Sequence, residues 1–394
     1  MAPTIPASEF ATNTHLSIAE PVSYLKFIDG LRGVAILMVI AVHTSQHVTN
    51  LADSTFRVKT FEMLVTSGAR GVQLFFVLSA LTLFNSSAHR FAQDTYPKLS
   101  FWLRRAFRIL PFWWLMHVYY VLRNPIPLQF VVPSLFLYFG FIRYRTGSDV
   151  IPGGWSIFVE ETFYLLMPFL FTRIKNVTSA LYLCLSLYAV SYVWDWSHSF
   201  FPEANAFHFD FPLTQWLCFG LGILAFFAMN TETFKKMASN VTLGRMMDCI
   251  LLLAILELLG LPNYHQAIRT QTLVFLLMVM TAGFRHSFTR RATENRLLVL
   301  YGTCCYSLYL LHFLILDFLD PYRERFLAVL RLSHAPMDIQ FLAWYPVVCL
   351  AGLGAGLVSF RLIEKPCVNL GKRLITRLNR KPLPLSELTT QRAS

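Results

Sequence analysis

Long apolar stretches recur along the whole chain, and short polar loops separate them. Hydrophobic residues make up 55% of the 394 residues and charged residues only 14%, whereas a soluble domain has roughly 25% charged residues. A helix needs roughly 20 apolar residues to cross a membrane, and somewhat fewer in a packed bundle. The sequence therefore predicts an all-α, polytopic membrane protein with one integral domain in the lipid bilayer.

Loop charge sets the predicted number of spans. The loop at 195–212 has three acidic residues and no Lys or Arg, so it is expected outside. The apolar stretch at 130–142 is then a re-entrant or surface segment, because counting it as a span would place the basic stretches 285–296 and 361–381 outside. Without it, 24 Lys and Arg residues lie inside and 10 outside, which favours both termini in the cytoplasm. We predict ten transmembrane helices, with approximate bounds 33–48, 71–86, 107–122, 154–172, 178–194, 213–229, 248–261, 271–284, 297–319 and 341–362.

The ends of the chain are predicted to be polar tails. Residues 1–22 form a cytoplasmic N-terminal tail without the apolar core of a signal peptide. Residues 23–370 form the membrane domain, and residues 371–394 form a basic cytoplasmic tail whose end is expected to be disordered. The net charge of +12 fits basic cytoplasmic loops, so no nucleic acid is expected as a partner.

Cysteine and histidine spacing predicts no metal site. The seven cysteines lack metal-ligand spacing and fit small hydrophobic side chains in packed helices. His47 follows His43 by four residues, but Thr44 stands where a zinc-protease motif has Glu.

The first predicted span places a cation and a protonatable group on one face. Arg32 lies at the cytoplasmic edge, and His43 follows eleven residues later, roughly 16 Å along a helix and near the middle of a ~30 Å core. Eleven steps of about 100° return close to the starting direction, so both side chains share a face. An ionisable group at this depth indicates a functional site. A histidine that only hydrogen-bonds two helices is the structural alternative.

Two further groups of ionisable residues lie at span ends. Arg105 and Arg108, three residues apart at the third span, are neighbours on a helix surface and suit phosphate oxygens. Alone, this pair is explained more simply as an anchor that sets topology. Glu160 and Glu161 lie one to two turns inside the fourth span, with Tyr164 on the face of Glu160. They are expected toward the outer side, binding sugar hydroxyls or a cation, with an ion pair to a buried Arg as the structural alternative.

The ninth predicted span carries a second intramembrane histidine, His312, three residues after Tyr309. The last span ends in the sequence Glu364-Lys365-Pro366, which we interpret as a cytoplasmic closure.

Taken in order, these segments resemble the acyltransferase-3 family of membrane O-acyltransferases. The resemblance extends from Tyr24 to about Leu370, and Gln73, Ala80 and Thr162 depart from the family's common residues. The motifs that carry it are Ile28-Asp-Gly-Leu-Arg32-Gly with His43, Gly71-Val-Gln-Leu-Phe-Phe-Val-Leu-Ser79, Arg105 with Arg108, Trp155-Ser-Ile-Phe-Val-Glu-Glu161, Tyr306-Ser-Leu-Tyr-Leu-Leu-His312 and Ile363-Glu-Lys-Pro366.

The resemblance implies transfer of an acyl group, most often acetyl, from cytoplasmic acyl-CoA to a hydroxyl of a carbohydrate or glycolipid. Acyl-CoA (acetyl-CoA) is a donor substrate, no tightly bound cofactor is implied, and the location is a bacterial inner membrane. His43 would act as general base or as a transient acyl carrier. The other roles are cofactor binding by Arg32, Arg105 and Arg108, catalysis by Glu160 and His312, and substrate binding by Trp155, Glu161, Tyr164 and Tyr309.

A transporter or flippase for a lipid-linked glycan is the main alternative, because buried His and Glu also serve proton-coupled transport. Transporters often contain internal repeats, and none is evident in this sequence. A non-enzymatic scaffold does not explain why ionisable groups recur at membrane depth. The acceptor and the oligomeric state stay open.

Overall fold

The computed structural model describes residues 26–49, 58–124, 126–137, 150–198, 200, 211–260 and 264–379, and all regular elements in these ranges are helical. The prediction of an all-α fold is confirmed for this part of the chain. A 3₁₀ turn at Ser67–Arg70 precedes α3, and a π-helical turn at Phe360–Glu364 joins the last two helices. The helices are α1 (Lys26–Thr49), α2 (Lys59–Thr66), α3 (Gly71–Gln93), α4 (Pro97–Arg123), α5 (Leu128–Leu135), α6 (Gly154–Arg173), α7 (Val177–His198), α8 (Pro212–Met229), α9 (Glu232–Met237), α10 (Val241–Gly260), α11 (Tyr264–Gly283), α12 (Phe288–Thr293), α13 (Arg296–Thr303), α14 (Cys305–Val329), α15 (Met337–Ser359) and α16 (Lys365–Leu378).

Several of these helices are long and apolar enough to cross a membrane. By length and composition, five segments in the described ranges qualify, and a bent pair of helices, α13 with α14, would make a sixth. These helices indicate an all-helical membrane protein. The count of ten spans and the cytoplasmic placement of both termini stay predictions. The five segments are Lys26–Val48, Lys59–Gln93, Val177–Ser197, Pro212–Met229 and Met337–Leu378.

Two predicted boundaries differ from the observed helices. The predicted span 297–319 is two helices that meet at 81°, because Cys304 leaves the helical conformation. The predicted boundary at residue 370 lies inside α16, which packs against α4. The stretch 130–142, predicted as a re-entrant or surface segment, overlaps α5, whose eight residues, about 12 Å long, are too short to span, as expected. Residues 138–142, the tail 1–22 and the chain after residue 379 lie outside the described residues.

Helix α1 runs through the bundle and packs against α3, α13, α14 and α15. Without a hydrophobic force between helices in lipid, close packing and small residues hold such a bundle together. Close backbone contact between α1 and the helices of residues 288–303 occurs at three glycines, Gly30, Gly33 and Gly302. A Cβ on Gly302 would lie 1.8 Å from the carbonyl oxygen of Asp29, and one on Gly30 only 1.6 Å from that of Thr293. The glycines of the first motif therefore set the position of Arg32 near the N-terminal end of α1.

Stacked aromatic rings fill the core beside α1. Phe219 of α8 stacks on Phe76 of α3 and on Phe163 of α6, with ring centroids 4.9 Å and 4.1 Å apart. These contacts hold α3 against α6, and both helices contribute polar side chains to the site described next.

Candidate active site

Two cavities lie beside Arg32, and the same three arginines line both of them. The outer cavity, here called the vestibule, has a volume of about 1040 Å³ and carries many charged side chains. The second, here called the inner pocket, is far narrower, at about 80 Å³. Arg32, Arg105 and Arg108 line both cavities, so their guanidinium groups lie where the vestibule narrows into the inner pocket. The charged residues of the vestibule are Asp29, Arg32, Arg90, Asp94, Arg104, Arg105, Arg108, Glu364, Lys365 and Lys372.

Carboxylates or hydroxyls hold most of these arginines in place. Arg32 donates to Asp29 over 3.0 Å and to the hydroxyl of Thr82 over 2.8 Å. Arg104 pairs with Asp94 at 2.6 Å, and Arg108 lies 3.7 Å from Glu364. Such fixed guanidinium groups are suited to recognise phosphate oxygens.

Arg105 differs from its neighbours because no carboxylate of the described residues pairs with it. Its Nε is buried and makes no hydrogen bond to them, and the guanidinium lies 5.7 Å from the ring centroid of Tyr164. A cation without a carboxylate partner, at the entrance of a narrow pocket, favours an anionic ligand at this point.

A hydrogen-bonded group of three side chains forms one wall of the inner pocket. Ser79 Oγ donates to Glu160 Oε1 over 2.6 Å and lies 2.9 Å from the hydroxyl of Tyr164. The Tyr164 hydroxyl donates to the same oxygen of Glu160 in a short contact. Two donors on one oxygen fix the orientation of the carboxylate. Neighbouring Glu161 is different, since its Oε1 is buried and makes no hydrogen bond to the described residues.

Tyr309 lines the inner pocket and also contacts the ring of His312. Its hydroxyl donates to the carbonyl oxygen of Gly153 over 2.9 Å and lies 2.7 Å from Ser156 Oγ. Gly153 directly precedes α6 and has φ = 75°, a left-handed conformation that glycine adopts without strain. Trp155, which is also predicted to bind substrate, packs edge-on against Phe76 of the inner pocket.

His43 and His312 contact each other beyond Tyr309. His312 Nε2 lies 3.2 Å from His43 Nδ1, and the ring centroids of Tyr309 and His312 are 5.4 Å apart. The ring of Phe313 covers both histidines, with centroids 4.4 Å from His43 and 4.1 Å from His312. Neither histidine is among the residues that line the vestibule or the inner pocket.

Hydrogen bonding assigns the protons of this histidine pair. His43 Nδ1 lies 2.9 Å from the carbonyl oxygen of Val39, and His312 Nδ1 makes a short contact to that of Tyr309. A carbonyl oxygen only accepts hydrogen bonds, so Nδ1 carries the proton in each neutral ring. His312 Nε2 then accepts from His43 Nδ1, which shares its proton between two acceptors. The lone pair of His43 is therefore on Nε2, the nitrogen that is free to act as a base.

The structure corrects one expectation about this site. Glu160 and Tyr164 do not lie apart from the arginines toward the outer side, because they line the same inner pocket as Arg105 and Arg108. Arg32 and His43 share no cavity of the two, because His43 is absent from the lining of the vestibule and of the inner pocket.

Some site residues were not singled out from the sequence. Ser79 and Thr82, three residues apart on α3, contact Glu160 and Arg32 respectively. Their spacing places them on one helix face, which is the signal that could have revealed them. No group of three or more potential metal ligands (His, Cys, Asp, Glu) occurs among the residues that the structure describes.

Comparison with known proteins identifies the family. Residues 25–361 match the acyltransferase domain family called acyltransferase 3. The chain belongs to this acyltransferase-3 family. The match covers the site residues from Asp29 to His312 but ends before Glu364, and it confirms the resemblance to the family.

Curated relatives of this acyltransferase-3 chain occur in Staphylococcus aureus. Proteins of strains COL and MRSA252, each named "Putative O-acetyltransferase", are both 23% identical to it. The alignments cover 91% and 87% of this chain, and 59% and 57% of the two relatives. The chain thus spans less than two thirds of the length of these relatives. No solved structure gives a significant match.

Proposed function

We propose that this protein is a membrane O-acyltransferase that transfers an acyl group, foremost acetyl, from cytoplasmic acyl-CoA to a hydroxyl of a carbohydrate or glycolipid. The observation that carries the proposal is that Arg32, Arg105 and Arg108 line both the vestibule and the inner pocket. A donor with phosphates at one end and a thioester at the other matches a charged vestibule that narrows into a small polar pocket. Family membership and the names of the relatives support the reaction class.

The vestibule supports the phosphate-bearing end of the donor. Its volume of about 1040 Å³ is at the upper end of the roughly 300–1,000 Å³ of small-molecule sites. Lys365 and Lys372 of α16 add cations on the wall that faces the arginines of α4. In the predicted topology this mouth opens to the cytoplasm, where CoA thioesters occur, and Lys and Arg favour that side.

The inner pocket supports the narrow end of the donor. Its volume of about 80 Å³ suits an unbranched arm with a short acyl group better than a bulky nucleotide. Arg105 at the entrance would attract the phosphates. The fixed carboxylate of Glu160, with Ser79 and Tyr164, would orient polar groups of the arm or acceptor. Glu160 and its neighbours therefore belong to the donor side of the proposed site.

His43 would act as the general base. Its Nε2 lone pair would take the proton of an acceptor hydroxyl while the hydroxyl oxygen attacks the thioester carbon. A C–O bond forms, the C–S bond breaks, and CoA leaves as a thiolate that takes up a proton. Because Tyr309 lies between the inner pocket and His312, the acyl group would pass Tyr309 to reach His43. Transfer to the acceptor hydroxyl would then be direct or would go through a transient acyl-histidine.

The proposal places the protein in a bacterial cytoplasmic membrane with ten spans and both termini inside. This arrangement supports a donor site on the cytoplasmic face and an acceptor site that opens outward beyond the histidine pair. The ion pair of Arg123 with Asp317, 3.0 Å long, would lie on that outward side.

Ligand-dependent stability tests the donor. Purified protein in detergent would be heated with acetyl-CoA, CoA or ATP, and the unfolding temperature recorded. A ligand at 100 times its dissociation constant stabilises the folded state by about 2.7 kcal/mol, so acetyl-CoA and CoA should raise the unfolding temperature clearly. A shift with neither CoA species would contradict the proposal and favour a transporter or flippase.

A further inference from the structure

The junction between α15 and α16 places a buried carboxylate beside the vestibule. The chain stays helical through this junction but widens into a π-helical turn at Phe360–Glu364, where the N–H of Lys365 donates to the carbonyl oxygen of Phe360. Pro366 follows directly and has no N–H for the helix, and its ring would clash with the carbonyl four residues earlier. A widened turn before a proline relieves that conflict, and such turns often occur at functional sites.

Glu364, the last residue of the π-helical turn, makes two contacts. Its side chain is only 4% exposed. Oε2 accepts a hydrogen bond of 3.1 Å from Ser307 of α14, a fully buried serine. Oε1 lies 3.7 Å from Nε of Arg108, an ion pair rather than a hydrogen bond. The carboxylate thus connects the end of α15 with α14 and with the guanidinium of α4.

Arg108 is held from one side only. Its side chain is 33% exposed, and its two terminal nitrogens make no hydrogen bond to the described part of the chain. The same guanidinium lines both cavities. A guanidinium held through Nε presents its two terminal nitrogens as a planar fork, the geometry that binds two phosphate oxygens at once.

We propose that Glu364 is a positioning residue that orients Arg108 toward an anionic group of the donor. The inference rests on the proposed function, since the anion is taken to be a phosphate of acyl-CoA. Glu364 does not touch the donor and acts through Arg108. Its negative charge also repels an anion, but water in the wide vestibule screens that repulsion, whereas the buried contact to Arg108 is screened less.

A double-mutant cycle tests this role. Steady-state rates with acetyl-CoA would be measured for wild type, Glu364→Gln, Arg108→Ala and the double variant. Arg108→Ala should raise KM for acetyl-CoA at least tenfold, on the scale of a lost charge-assisted hydrogen bond. Glu364→Gln should raise KM roughly fivefold with kcat nearly unchanged, and it should add nothing in the Arg108→Ala background. Glu364→Asp, which keeps the charge, should recover part of the wild-type KM.

The controls separate this inference from the proposed function. Glu294→Gln removes a carboxylate that pairs with Arg290 at 2.9 Å, away from both cavities, and should leave KM at the wild-type value. A KM for Glu364→Gln that is unchanged or lower, while Arg108→Ala raises KM, would overturn the inference and leave the proposed function standing. An increase in the Arg108→Ala background equal to that in wild type would also overturn it. Failure of the wild type to use or bind acetyl-CoA would instead refute the proposed function.

Discussion

His312 Nε2 lies 3.2 Å from His43 Nδ1, so two histidines from α14 and α1 contact each other inside the bundle. An ionisable side chain inside a membrane bundle costs free energy, and this chain places two of them in contact. The carbonyl oxygens of Val39 and Tyr309 fix the proton of each ring on Nδ1. His312 thereby holds the orientation and tautomer of His43 and leaves the lone pair of His43 Nε2 for its proposed role as the base.

We expect His312→Ala to lower the rate of acyl transfer roughly tenfold or more, with a smaller effect than His43→Ala. The reason is that His43 would keep its hydrogen bond to Val39 and lose only the second acceptor of its Nδ1 proton. A lost general base costs about 10²- to 10⁴-fold. The measurement is kcat at saturating acetyl-CoA, and equal losses for both variants would contradict the supporting role of His312.

Arg105 and Arg104 are adjacent in the sequence, so their alanine variants form a matched pair that tests the proposed donor site. Arg105→Ala should raise KM for acetyl-CoA by about 10- to 100-fold, because a charge-assisted contact of about 1.5–3 kcal/mol is lost. Arg104→Ala removes a charge that Asp94 already pairs at 2.6 Å, so its effect on KM should be several times smaller. Equal KM values for the two variants would show that the pairing with Asp94 does not distinguish these arginines.

The proposed contribution of the Glu160 carboxylate to activity should require both hydroxyl groups that donate hydrogen bonds to it. Tyr164→Phe removes one donor and leaves Ser79 in place, so we expect a roughly tenfold loss of kcat/KM, near the 1–3 kcal/mol of an unsatisfied buried group. Tyr182→Phe is the control, because Tyr182 on α7 is 67% exposed and faces away from the core. If both variants kept wild-type activity, the hydroxyl of Tyr164 would have no part in the site.

Close packing at α1 gives a prediction about stability. A Cβ at position 302 would lie 1.8 Å from the Asp29 carbonyl oxygen, so Gly302→Ala should force α13 away from α1 and lower the unfolding temperature by several degrees. Gly354→Ala on α15 meets nothing within 4 Å and should be neutral or slightly stabilising, because alanine favours helix. Thermal unfolding in detergent measures both, and equal unfolding temperatures would exclude a packing role for Gly302.

The membrane helices and the cationic side of the site could be predicted from the sequence. Apolar length gives the helices, and the spacing of eleven residues places Arg32 and His43 on one face of α1. Arg105 and Arg108 are three residues apart, and both do line the vestibule. These features depend on helix geometry alone, so a single sequence is enough to predict them.

Contacts between distant segments could not be predicted in this way. His43 and His312 are 269 positions apart, and periodicity says nothing about which helices become neighbours. The sequence likewise did not predict that Glu160 and Tyr164 join the arginines, since that depends on how α6 packs against α3 and α4. The bend of 81° between α13 and α14 lies at Cys304, and hydropathy does not report it because both helices are apolar.

General-base catalysis by His43 can be tested by measuring acyl transfer by the His43→Ala variant. Membranes with equal amounts of wild type or variant would receive radiolabelled acetyl-CoA on the vestibule side, and label in the carbohydrate fraction would be counted. We expect at least a 100-fold loss of transfer with acetyl-CoA binding preserved, because the proposed base acts on the proton and not on the phosphates. Transfer at the wild-type rate by His43→Ala would refute general-base catalysis by His43.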